Sequence, residues 1–135
     1  MSDVFLVIAS VFIFIAAVMH LLFFFLESVL WSRPRAWRLF GVTSQDDADV
    51  LRFMAYNQGF YNVFLALGAG TGLVLLGSGA SYEGGIGVAA FALLSMLLAA
   101  IVLVTANRRL WRGALLQGAP PLIGIAFLVL ALQAA

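Results

Sequence analysis

Four stretches of this sequence carry no formal charge and few polar side chains: Val4–Leu26, Phe53–Tyr82, Gly84–Asn107 and Gly113 to the last residue. Each can supply the ~20 apolar residues that carry a helix across a bilayer. Water cannot satisfy backbone N–H and C=O groups there, so the chain must bond them internally. The expected fold class is therefore all-α, an integral membrane four-helix bundle. It forms one domain over residues 1–135, with spans near 4–31, 53–76, 86–106 and 115–133. Composition agrees: 64% of the 135 residues are hydrophobic and 10% are charged, against about a quarter charged in soluble domains. The chain has no cysteine, which removes disulfides and thiolate metal sites from consideration. A net charge of +1 gives no footprint for nucleic acid.

The first run lacks a basic segment before it and a small-residue cleavage site after it. Its apolar core is also too long for a signal peptide, so it reads as a retained helix. Every basic residue is an arginine. Arg33, Arg35, Arg38 and Arg52 fall in the first connection, and Arg108, Arg109 and Arg112 in the third. The positive-inside rule then makes both connections cytoplasmic and places both termini outside. The expected location is a bacterial inner membrane, crossed several times. Trp31, Trp37 and Trp111 accompany the arginines, as amphipathic rings do at the headgroup layer.

Within the first connection, Pro34 ends the preceding helix. Gly41 marks a turn, and Ser44 with Asp47 has the spacing of a capping box. The helix begun there is expected to run directly into the second span. Gly68 and Gly72, four residues apart, read as close helix packing rather than as a phosphate loop, since no strand precedes them. Pro120 and Pro121 are expected to kink the fourth span.

The polar residues inside the spans are few and lie on one side. His20 and Glu27 are the ionisable groups of span one. On a regular α-helix they are about 20° apart in angle and ~10.5 Å apart along the axis. Asn57 and Gln58 enter span two at the depth of Glu27, and Tyr61 and Asn62 lie about one turn deeper, closer to His20. These four form an arc of about 140°. Gln117 opens span four on the same side, and Arg38 and Arg108 stand at its edge. Polar groups in hydrocarbon turn toward the bundle interior, because facing lipid unsatisfied is costly. The pattern predicts a pocket in the inner half, open to the cytosol.

Several pieces of the sequence resemble a family of small four-helix bacterial membrane proteins known only as a domain of unknown function. They are His20, Glu27, "W..PR..R.FG" from Trp31 to Gly41, "NQGFYN" from Asn57 to Asn62, and the Arg108–Arg109 pair followed by "QGAPPL" ending at Leu122. The resemblance implies the four-span fold and no activity.

Two explanations of the polar set compete. Amides and imidazoles often serve as hydrogen-bonding glue between membrane helices, and Glu27 could pair with Arg35, Arg38 or Arg108. A mid-membrane histidine with a carboxylate on the same helix instead points to function. The favoured expectation is a site for a small apolar or amphipathic molecule such as a lipid. Asn57, Gln58, Tyr61, Asn62, Gln117, Arg38 and Arg108 would hold it, and His20 and Glu27 would exchange protons as acid and base, as in an isomerisation. Proton-coupled transport by a homo-oligomer is the first alternative, and an accessory subunit of a larger complex is the second. No metal site is expected, because one His and one Glu ~10 Å apart cannot share an ion without further ligands. No cofactor is expected either, and haem through His20 has nothing else in its favour.

Overall fold

A computed structural model describes residues 1–134. It is all-helical among those residues, and four of its helices are long and apolar enough to cross a membrane. Helix α1 spans Ser2–Phe24 and continues as one π-helical turn, Phe25–Val29. Short helix α2, Pro34–Leu39, takes Pro34 in its first turn, where the missing N–H costs nothing. Helix α3 runs from Gln45 to Ser78, α4 from Tyr82 to Ala106 and α5 from Trp111 to Gln133.

Local chemistry explains the boundaries. Ser44 caps α3, its Oγ accepting from the Asp47 N–H at 3.1 Å. Gly79 ends α3 at φ +67°, a left-handed conformation that disfavours a side chain. Ser81 caps α4 by accepting from the Gly84 N–H. At the far end of α4, Asn107 Oδ1 accepts from the Arg109 N–H and starts the turn into α5. Helix α3 has 34 residues, so it is about 51 Å long. That exceeds a hydrocarbon core of about 30 Å, and the Ser44 end extends beyond it. Pro120 and Pro121 lie inside one continuous helix assignment, and Pro121 is buried.

The four long helices form a ring in which α1 packs against α3 and α5, and α4 packs against the same two. Small residues line the seams. A Cβ added at Gly72 would lie 2.7 Å from the Ala89 backbone nitrogen, and one at Gly68 would lie 3.3 Å from the Ala92 Cβ. Gly68 and Gly72 thus form the packing surface that their spacing suggested. Ala9, Ala16, Ala69 and Ala89 are fully buried around Ile13, Leu93 and Met96. Membrane helices associate through such close van der Waals contact, because lipid gives no hydrophobic drive. A second cluster at the arginine-bearing end joins Trp31 and Trp37 to Ala48 and Ala55 of α3. There Trp31 Nε1–H donates to the Ala48 carbonyl at 2.9 Å.

Candidate functional site

The rotation of α3 about its axis decides which polar groups meet. Ala48, Ala55, Gly59, Asn62 and Ala66 are its buried residues in this half. Their spacings of seven, four, three and four make one stripe. This stripe faces α1 and its π turn. Contact is closest at Gly59, where an added Cβ would collide with Ser28 Oγ. The Ser28 hydroxyl donates to the Tyr56 carbonyl at 2.9 Å, which ties the π turn to α3.

One turn beyond Gly59, Asn62 Nδ2–H donates to Glu27 Oε2 at 2.7 Å. Both side chains are buried, Glu27 at 8% exposure and Asn62 at 5%. The same amide nitrogen lies 3.3 Å from the Gln58 carbonyl within its own helix. No ion pair forms among the described residues, so Glu27 is held by a neutral amide and by neither Arg38 nor Arg108. The π turn matters here. It breaks the regular register between His20 and Glu27, so the angle expected for an unbroken α-helix does not apply. Single π turns recur at functional positions in helices.

His20 is fully buried. Its Nδ1–H donates to the Ala16 carbonyl at 2.9 Å, since a carbonyl can only accept. That fixes Nε2 as the acceptor nitrogen, and Nε2 has no partner among the described residues. The Phe23 ring meets the imidazole edge-on at 5.7 Å. No hydrogen bond joins His20 to Glu27 or Asn62 among the described residues.

The rest of the expected arc lies elsewhere. Asn57, Gln58 and Tyr61 are exposed on the single bundle, with the Tyr61 ring edge-on to Phe64. The inward turn expected for all four residues is made by Asn62 alone, because the stripe of small residues sets the rotation. Gln117 is half-buried and without a hydrogen bond among the described residues. Arg38 is exposed, its guanidinium 5.2 Å from the Trp37 ring centre, and Arg108 is exposed at the start of the last connection.

A cleft of about 500 Å³ opens beside the Glu27–Asn62 pair. Glu27, Ser28, Trp31 and Ser32 form one wall, and Asp49, Arg52, Phe53 and Tyr56 form the other. Sequence reasoning had not singled out Asp49, Arg52 and Tyr56 as site residues. Their signal was present: at i, i+3 and i+7 they lie along one helix face. Among the described residues, no three His, Cys, Asp or Glu side chains group as metal ligands.

Residues 14–129 match the family model DUF1304, described as a protein of unknown function. No curated protein and no solved structure matches the chain.

Proposed function

We propose that this chain, which belongs to the DUF1304 family of proteins of unknown function, holds the polar head of a small amphipathic molecule in the Glu27 cleft. The carrying observation is Glu27 itself. It is buried, one oxygen accepts from Asn62, no cation pairs with it among the described residues, and it lines an open cleft. A carboxylate in hydrocarbon without a cationic partner is costly. Asn62 alone leaves hydrogen-bonding capacity for a guest on the second oxygen. Exposed apolar side chains that line the cleft, Val29 and Phe53, offer a surface for the body of such a molecule.

The arginine distribution supports an orientation with the cleft on the cytoplasmic leaflet and both termini outside, in a bacterial inner membrane. An acid/base role is the extension of this reading. Glu27 would take a proton from the guest and return it elsewhere on the same molecule, with His20 Nε2 as a second acceptor deeper in the bundle. Binding of a membrane amphiphile that is lost on Glu27→Gln tests the binding step. Turnover of that amphiphile, lost on Glu27→Gln and on His20→Ala, tests the proton exchange. Equal retention by wild type and Glu27→Gln would remove the proposal.

A further inference from the structure

The free valences of the cleft define the head it would take, an inference that rests on the binding reading above. Several lining groups are already committed within the protein. The Ser28 hydroxyl donates to Tyr56 O, Trp31 Nε1–H donates to Ala48 O, and Asp49 Oδ1 accepts from Gln45 Nε2 at 2.9 Å. What remains is the second oxygen of Glu27, the second oxygen of Asp49, the Ser32 hydroxyl and the whole Arg52 guanidinium. Glu27 is more than nine-tenths buried, and that oxygen has no partner among the described residues. Asp49 and Arg52 share one helix face and form no ion pair with each other. The cleft therefore presents two acceptor carboxylates and one fork-shaped cationic donor, backed by the rings of Trp31, Phe53 and Tyr56.

We propose that the occupant carries a primary ammonium next to a phosphodiester, the zwitterionic head of an ethanolamine phospholipid. The ammonium N–H donors serve the second oxygen of Glu27. The aromatic rings add cation–π attraction. The phosphodiester accepts from Arg52, whose planar fork suits two phosphate oxygens. A trimethylammonium head keeps the charge but has no N–H, so Glu27 would lose its donor. A glycerol head brings hydroxyls and leaves the phosphate's negative charge unbalanced beside two carboxylates. The order of preference is therefore ethanolamine, then choline, then glycerol.

The test is native mass spectrometry of the full chain in detergent, with matched-chain phospholipids bearing ethanolamine, choline or glycerol heads. Retention of the ethanolamine lipid should exceed that of the choline lipid by about tenfold, the value of one charge-assisted hydrogen bond. Glu27→Gln and the exposed Arg52→Gln should each lower it by a similar factor. Arg109→Gln, on the other connection, should leave it unchanged. Competition by water-soluble glycerophosphoethanolamine separates the two sources of this chemistry. Displacement only at far higher concentration assigns the site to the lipid, whereas displacement at equal concentration assigns it to the soluble head. A preference for the choline or glycerol lipid that still depends on Glu27 would overturn the head assignment and leave the binding reading standing. Retention of no lipid in a Glu27-dependent way would overturn both.

Discussion

Gly59→Ala is the sharpest perturbation of the seam that builds the site. The added methyl would collide with Ser28 Oγ and lie 3.1 Å from Ser28 Cβ and 3.2 Å from the Ser28 backbone nitrogen. Turning the serine hydroxyl away removes the first clash only, and it breaks the bond to Tyr56 O. The two remaining contacts require α1 and α3 to separate by a few tenths of an ångström. Overpacking of this kind costs about 1–3 kcal/mol, and the lost hydrogen bond adds about 0.5–1.5 kcal/mol. Alanine returns up to about 1 kcal/mol of helix propensity. A net destabilisation of about 1–3 kcal/mol is expected. SDS titration of the protein in mild-detergent micelles, followed by circular dichroism or tryptophan fluorescence, measures it. Two companions make the result specific. Gly70→Ala, with nothing within 4 Å of the new Cβ, should be neutral or slightly stabilising. In a Ser28→Ala background the same Gly59→Ala change should cost less, because the closest clash and the Tyr56 bond are already gone. A Gly59→Ala protein as stable as Gly70→Ala would refute the close-seam reasoning.

Other expectations follow from the same contacts. Gly72→Ala meets the Ala89 backbone at 2.7 and 2.9 Å, so no rotamer change can relieve it, and it should destabilise at least as much as Gly59→Ala in the same titration. Asn62→Leu removes the donor to buried Glu27 and should cost about 1–3 kcal/mol. Glu27→Gln keeps an acceptor for Asn62 and should fold within about 1 kcal/mol of wild type while losing its guest. His20→Phe removes the bond from Nδ1–H to the Ala16 carbonyl and adds volume at a fully buried position, and it should cost about 1–3 kcal/mol in the same titration. Ser44→Ala removes the α3 cap and should cost about 1 kcal/mol by thermal or SDS unfolding.

The spans were legible because uncharged length is a strong signal, and the Ser44 cap because Ser and Asp at that spacing have a local mechanism. The glycine seam with α4 was legible for the same kind of reason, small residues being needed wherever two backbones approach. The rise per residue put Asn57 and Gln58 level with Glu27 and put Asn62 about a turn deeper, nearer His20, so the Glu27–Asn62 bond was not foreseen. Depth does not give rotation. Helical angles placed Asn57, Gln58, Tyr61 and Asn62 correctly relative to one another, yet they could not say which edge of the arc met α1. The stripe from Ala48 to Ala66 decides that, and it admits only Asn62. The π turn at Phe25–Val29 was not legible, since it arises where Ser28 locks onto α3, a contact remote in sequence. The cleft wall of Asp49, Arg52 and Tyr56 was obscured for a different reason. Asp49 and Arg52 precede the span expected from residue 53, where charged residues look like ordinary solvated surface, and Tyr56 sits at its start, where an aromatic ring looks like an interface anchor.

The most direct measurement places a photoreactive phenylalanine analogue at Phe53, which lines the cleft, and in a second protein at Phe91, which is 74% exposed on α4 away from it. Irradiation in native membranes is followed by mass analysis of the adducts. Phe53 should capture one class of amphiphile well above its share at Phe91, and that excess should vanish in Glu27→Gln. The same adduct distribution at both positions, unchanged by Glu27→Gln, would contradict a guest in the cleft.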